Sequence, residues 1–127
     1  MTIQKCIPWI VLSLLLAGCT TTTVTNLTPK QLPRNTNGLY LFEVALDTNQ
    51  QTLREETITP FVLIGFNAYP MESALMLKNR WEVLVPIGAD KKFVNYRYKF
   101  DYNYNRFGER GKSSKLSPQH QLEITEK

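Results

Sequence analysis

Between residues 93 and 107 the chain reads FVNYRYKFDYNYNRF, a stretch in which side-chain character alternates with a period of two. Successive side chains of a β-strand point to opposite faces, so this pattern places the large side chains on a single face. Those side chains are Val94, Tyr96, Tyr98, Phe100, Tyr102 and Tyr104. A face of this size does not stay in water without causing association, so we expect it to line a core, with hydrated tyrosine hydroxyls at its edge.

The chain from Gly38 onward shows the same period in shorter segments, which are separated by turn-forming Pro, Gly, Asn and Asp residues. The expected strands cover residues 40–46, 53–58, 61–66, 81–85 and 94–104, and a last strand contains Leu122 and Ile124. We expect Thr59-Pro60 to break one strand, and only residues 72–78 have a pattern compatible with a helical turn. The sequence therefore predicts an all-β fold, an antiparallel immunoglobulin-like β-sandwich of about seven strands.

Residues 1–18 have the organisation of a signal peptide. A positive charge at Lys5 precedes an apolar run over residues 7–16, and the small residues Ala17 and Gly18 follow it. This run is too short to cross a bilayer, because a transmembrane helix needs about 20 apolar residues. We therefore expect residues 1–18 to be removed on export.

Leu16-Ala17-Gly18-Cys19, directly after the apolar run, resembles the lipobox of bacterial lipoproteins. The resemblance covers residues 1–19 and implies cleavage before Cys19, lipid on the thiol and amine of Cys19, and attachment to a membrane. Thr20 follows the cysteine, and in enteric-like bacteria the absence of aspartate at that position implies the outer membrane. The expected location is thus the cell envelope, by lipid anchoring.

The remaining chain divides into a tether and one domain. Residues 19–37 are rich in threonine and asparagine, contain Pro29 and Pro33, and show no apolar periodicity, so we expect a lipidated tether there. Residues 38–127 are expected to form the sandwich. Of the two cysteines, Cys6 leaves with the signal peptide and Cys19 carries lipid, so no disulfide is expected.

Trp81 belongs to a second resemblance. Residues 79–81, Pro86 and residues 96–101 resemble the tryptophan strand and the Tyr-x-Tyr-Lys-Phe strand of starch-binding and glycogen-binding sandwich modules. The resemblance implies a carbohydrate ligand that stacks on Trp81. Those modules rely on a second exposed tryptophan, whereas the other tryptophan here is Trp9 of the signal peptide. Alternation with Val83 and Val85 moreover predicts that Trp81 faces inward.

Several short motifs also resemble a family of short lipoproteins without a characterised function. In chain order the motifs cover residues 26–29, 33–35, 69–71, 79–82 and 116–118. This resemblance implies a related protein family, but it implies no biochemical mechanism.

The charge of the chain is unevenly distributed. The formal net charge of +4 includes Lys5, and residues 78–115 hold ten basic and four acidic side chains. We expect NRFGERGKSSK, residues 105–115, to be a loop between the last two strands, in which Arg106, Arg110, Lys112 and Lys115 contact an anionic lipid or glycan. The alternative is a solvated loop whose charges maintain solubility. Nucleic acid is not an expected partner of an exported, lipid-anchored protein.

No constellation for catalysis or metal binding stands out in the sequence. The single histidine, His120, is expected to lie on the surface without a cysteine or carboxylate partner, and the adjacent Glu55 and Glu56 would face opposite ways on a strand. No nucleophile motif, phosphate-binding loop, metal-ligand cluster or cofactor motif is present. We therefore expect a non-catalytic structural or protein-interaction role with envelope proteins, and as the alternative a carbohydrate-binding module.

Overall fold

The computed structural model describes residues 21–49, 53–106 and 109–126, and the regular structure in these ranges is entirely β-strand. The strands are β1 (Thr22–Asn26), β2 (Gln31–Pro33), β3 (Leu39–Thr48), β4 (Leu53–Ile64), β5 (Asn67–Pro70), β6 (Glu72–Ser73), β7 (Arg80–Pro86), β8 (Phe93–Arg106), β9 (Glu109–Leu116) and β10 (His120–Thr125). No helix in the described ranges has the length and apolar character needed to cross a membrane.

Two sheets pack against each other as a sandwich. The first has the strand order β1-β3-β7-β6, and the second has the order β2-β10-β8-β4-β5, with β9 also paired to β8. All these pairs are antiparallel except β2 with β10, which run parallel. The predicted all-β sandwich is confirmed. The described residues form ten strands, whereas the sequence predicted about seven.

The core lies between the sheets and contains one face of β8, as the alternating pattern predicted. Val94, Tyr96, Tyr98 and Phe100 are buried. Aromatic contacts join the sheets, because the ring of Phe42 lies 4.9 Å from that of Tyr96 in an edge-to-face arrangement. The other buried apolar side chains are Tyr40, Val44, Leu46, Val62, Met71, Val85, Leu122 and Ile124. Tyr102 and Tyr104, further along the same strand, are half-buried.

The predicted tether over residues 19–37 is wrong for residues 22–26 and 31–33. Thr22–Asn26 forms β1 and pairs with β3, and Gln31–Pro33 forms β2 and pairs with β10. The threonine content suggested a linker, but threonine is β-branched and favours strands. Pro33 fits because β2 is an edge strand and Pro33 is its last residue.

Thr59-Pro60 does not break its strand. β4 continues from Leu53 to Ile64, and its register against β8 shifts between Arg54 and Thr59. At this irregularity the hydroxyl of Thr57 lies 2.8 Å from the backbone nitrogen of Asn103 and accepts its hydrogen bond. A hydroxyl therefore replaces a backbone acceptor where the ladder is interrupted. Residues 72–78 contain β6 and a turn, not the helical turn that the sequence allowed.

The predicted loop over residues 105–115 is also wrong for most of its length. Glu109–Leu116 forms β9, which pairs with β8 from Arg106↔Glu109 to Lys99↔Leu116. Gly111 lies opposite Tyr104, and a side chain at position 111 would collide with the Tyr104 ring. The tyrosine covers the glycine across the strand pair, which stabilises a strand of low intrinsic β propensity.

Candidate functional site

A cleft of about 440 Å³ opens beside β10, where β2 and the beginning of β8 meet it. Its lining combines aromatic rings, amides and charged groups. The lining residues are Asn26, Lys30, Gln31, Phe93, Tyr96, His120, Gln121 and Glu123. The register His120↔Tyr96 across β8 and β10 and Glu123↔Gln31 across β10 and β2 brings these residues together from distant parts of the chain.

Asn26 and Tyr96, which line the cleft, belong to a network of buried and partly buried hydrogen bonds beneath it. The Asn26 side-chain amide nitrogen donates to the Tyr96 hydroxyl at 2.8 Å, and the Tyr98 hydroxyl donates to Asn26 Oδ1 at 2.8 Å. Thr28 Oγ1 lies 2.7 Å from the Tyr98 hydroxyl oxygen and accepts a hydrogen bond from Glu43 N at 2.9 Å. Because each member has several partners, the side chains are fixed before any ligand arrives.

Burial sets the protonation state of the two tyrosines. Loss of solvation raises the pKa of Tyr98 far above its ordinary value of 10.0, although the hydrogen bond from Thr28 opposes the shift. Burial also raises the pKa of Tyr96, against the effect of the hydrogen bond from Asn26. Both hydroxyls therefore stay protonated at neutral pH and act as hydrogen-bonding groups.

His120 packs against the same tyrosines and is not the isolated surface histidine that the sequence suggested. Its ring centroid lies 5.6 Å from that of Tyr96 and 6.2 Å from that of Tyr98. Partial burial lowers the pKa of the imidazole below 6.5, so the ring is mainly neutral at pH 7. A neutral imidazole can donate one hydrogen bond and accept another from a ligand in the cleft.

The outer part of the cleft is amphipathic. Phe93 is 50% exposed, and Lys92 Nζ lies 5.7 Å from the centroid of its ring. On the other side, Gln31 Nε2 donates to Glu123 Oε1 at 2.9 Å. A ligand in this cleft would meet an apolar ring next to amide and carboxylate groups, which suits recognition of a polar chain by stacking and hydrogen bonds. In the described part of the chain, no group of three or more His, Cys, Asp or Glu side chains could hold a metal ion.

Trp81, the candidate stacking residue, lies away from this cleft. It is half-buried on β7, packs against the core, and its ring centroid is 5.5 Å from that of Phe100 in an edge-to-face arrangement. The structure thus gives Trp81 the inward orientation that its alternation with Val83 and Val85 indicated. Cys19, the expected lipidation site, lies outside the described residues.

The four candidate basic residues belong to the β8–β9 pair. By register Arg106 lies opposite Glu109 and Arg110 opposite Asn105. Lys112 and Lys115 are exposed, but they are three residues apart on one strand and so point to opposite faces of it. Lys112 lines a shallow polar groove together with the carboxylate of Asp101. Contact of these residues with an anionic lipid or glycan stays a prediction.

The cleft escaped prediction because three of its residues, Asn26, Lys30 and Gln31, lie in the supposed tether. The signal that would have found them is Thr22-Thr23-Val24-Thr25, a run of β-branched residues that favours a strand. Once that strand is placed, the nearby amides become candidates for a site. Comparisons of the chain with protein-family models, with curated proteins and with solved structures find no match.

Proposed function

We propose that this chain is a lipoprotein of the bacterial cell envelope, anchored through lipid on Cys19, whose sandwich acts as a non-catalytic protein-interaction module. Support for the anchor comes from Leu16-Ala17-Gly18-Cys19 directly after the apolar run. Each buried CH₂ contributes about 0.8 kcal/mol to membrane binding, so three acyl chains hold a protein firmly where one chain holds it only marginally. Thr20 after Cys19 favours the outer membrane under the sorting rule of enteric-like bacteria.

The observation that carries the interaction role is the cleft beside β10. Its floor is fixed by the hydrogen bonds of Asn26 with Tyr96 and Tyr98, so a ligand need not order these groups on binding. Its rim offers the exposed ring of Phe93 and the side chains of Gln31 and Gln121. Aromatic and amide groups of this kind suit an extended peptide segment of a partner protein.

The anchor is tested by replacing each of the two cysteines separately. Cys19→Ser should abolish incorporation of a fatty-acid probe and leave the signal peptide uncleaved by the lipoprotein peptidase. Cys6→Ser is the matched control, because Cys6 lies in the signal peptide, and it should label normally. Labelling of Cys19→Ser at the wild-type level would contradict the proposed anchor.

The interaction role is tested by photo-crosslinking in intact cells. A photoreactive residue at Gln121, on the rim of the cleft, should give discrete adducts with envelope proteins. The same residue at Leu84, which is 55% exposed on the other sheet, is the control and should give none. Equal adducts from both positions, or none from Gln121, would contradict a role for the cleft in protein binding.

Carbohydrate binding is the second candidate function, and the cleft favours it more than Trp81 does. The exposed ring of Phe93 offers an apolar surface for pyranose CH groups, and the adjacent amides of Gln31 and Gln121 can bond hydroxyls. Titration with glucans or peptidoglycan fragments would show saturable binding that Phe93→Ala abolishes. Leu116→Ala, at a side chain that is 49% exposed outside the cleft, is the control. Loss of binding on Trp81→Ala alone would instead place the sugar at Trp81.

A further inference from the structure

The turn between β6 and β7 presents three consecutive apolar side chains to solvent. Leu75, Met76 and Leu77 are 86%, 95% and 50% exposed. A single exposed apolar side chain is ordinary on a protein surface, but a contiguous group of large ones marks a surface that contacts another apolar phase. We call this group the apolar tip.

Backbone hydrogen bonds hold the apolar tip in a defined shape. Ala74 N donates to Arg80 O at 2.8 Å, and Leu77 N donates to Ala74 O at 3.3 Å. Met76 has φ 63°, in the left-handed region that residues with a Cβ adopt only at an energetic cost. Two features of this turn are therefore energetically unfavourable in water: the exposure of its apolar side chains and the left-handed backbone conformation of Met76.

The apolar tip lies at the end of the sandwich from which the N-terminal segment emerges. Asn79, at the base of the turn, accepts a hydrogen bond from Leu46 N at 3.0 Å, near the end of β3. At that same end of β3, Thr48 pairs with Thr22, the first residue of β1. β1 and β7 lie on either side of β3, so the lateral distance between them is about 10 Å.

Little chain separates this end of the sandwich from Cys19. Thr21 is already tied to the domain, since Asn49 N donates to Thr21 O at 3.0 Å. Two residues of extended chain span at most about 7 Å, so a lipid on Cys19 would hold this end close to the bilayer surface. A long tether would have allowed the domain to move away from the membrane, and residues 22–26 and 31–33 are instead strands of the two sheets.

We propose that the apolar tip inserts into the interfacial region of the bilayer that anchors the protein, and so fixes the orientation of the sandwich on the membrane. The inference rests on the proposed lipid anchor at Cys19. Lys78 and Arg80 are exposed next to the tip, where their positive charges complement lipid phosphates. Leucine and methionine side chains lie in the acyl boundary while the cationic groups stay at the headgroups.

The test uses the full-length chain, processed in cells and reconstituted into vesicles of phosphatidylethanolamine and phosphatidylglycerol. Met76→Cys provides the only free thiol of the lipidated protein, since Cys6 is removed and Cys19 is acylated, and it is labelled with an environment-sensitive fluorophore. Phe66→Cys is the matched control, because Phe66 is fully exposed in the turn between β4 and β5, at the opposite end of the sandwich. Labelling with a fatty-acid probe is measured on the same samples.

Insertion predicts that emission from position 76 shifts to the blue in vesicles and is quenched by a nitroxide carried on lipid, while emission from position 66 does neither. If the protein carries the fatty-acid label but the fluorophores at positions 76 and 66 both emit as in water, the inference is overturned while the proposed anchor stands. A blue shift at position 76 without quenching by lipid would mean that a second copy or another protein covers the tip, which also overturns it. Absence of the fatty-acid label would overturn the anchor and the inference together.

Discussion

The hydroxyl oxygens of Thr28 and Tyr98 lie 2.7 Å apart in a buried hydrogen bond between residues 70 positions apart in the chain. Thr28 belongs to the segment between β1 and β2, and Tyr98 to the central strand β8. The Tyr98 hydroxyl also lies 2.8 Å from Asn26 Oδ1. Buried hydrogen bonds therefore hold a segment that contributes few large apolar side chains to the core.

We expect Tyr98→Phe to lower the free energy of unfolding by about 1–3 kcal/mol, because it leaves the buried polar groups of Asn26 and Thr28 with one partner fewer. Urea unfolding of the purified protein at neutral pH measures this change. Tyr102→Phe is the control, since Tyr102 is half-buried on the same face of β8. A larger loss for Tyr102→Phe than for Tyr98→Phe would contradict the assigned network.

Stability should fall in alkaline solution. Burial raises the pKa of Tyr96 and Tyr98 in the folded protein, so above pH 10 the unfolded chain releases these protons while the folded chain retains them. The stabilisation is fully present below the unfolded pKa of about 10 and is lost as pH rises through the folded pKa values, by at most about 1.4 kcal/mol per pH unit for each tyrosine. Unfolding measured from pH 9 to pH 11 should show this slope, and Tyr98→Phe should reduce it. If Tyr98→Phe leaves the slope of unfolding free energy against pH unchanged, Tyr98 is not the source of that slope.

Ser117→Ala should destabilise the link between β9 and β10. Ser117 is buried, its hydroxyl oxygen accepts the hydrogen bond of Tyr98 N at 2.8 Å, and its own backbone nitrogen donates to Tyr98 O at 2.9 Å. Loss of the hydroxyl leaves Tyr98 N without this acceptor, so we expect a cost of about 1–3 kcal/mol in urea unfolding. Ser114→Ala, at an exposed position of β9, should change stability by less than about 0.5 kcal/mol. Equal effects of the two substitutions would refute the role of Ser117.

Two neighbouring residues of β8 should differ sharply in their effect on stability. Phe100 is fully buried and packs on Trp81, so Phe100→Ala should cost about 3–5 kcal/mol. Lys99 is partly exposed and lies 3.7 Å from Asp101 in a surface ion pair, so Lys99→Ala should change stability by less than about 1 kcal/mol. Thermal unfolding of both variants provides the comparison. A greater loss for Lys99→Ala would mean that the inward face of β8 is misassigned.

The sequence predicted those parts of the fold in which burial on one face imposes a period of two. β3, β7, β8 and β10 were found in this way, because their inward side chains are large and their outward ones mostly polar. β9 was missed because ERGKSSK has little β propensity and residues 111–116 include no buried side chain, and its pairing depends on contacts such as that of Tyr104 with Gly111. A strand of this kind forms because a neighbouring strand pairs with it, and not because its own residues favour β structure.

The cleft could not be predicted from local sequence patterns, because its residues come from distant parts of the chain. Asn26, Tyr96 and His120 meet only because β1 pairs with β3 in one sheet while β10 pairs with β8 in the other. Nothing within a few residues of His120 indicates that two tyrosines from β8 will partly bury it. A lone histidine in a polar stretch therefore suggested a surface position, whereas the sheet register gave it aromatic neighbours.

The parallel pair of β2 with β10 determines when the protein can fold. Gln31 and Glu123 meet across 92 residues of chain, and Leu122 and Ile124, both fully buried, come from the last strand. The core thus cannot close until residues 120–125 have been synthesised, and such non-local β pairing forms in milliseconds to seconds, not microseconds. Translation that stops before Leu122 should therefore yield no smaller stable domain, but an unfolded chain exposed to proteases.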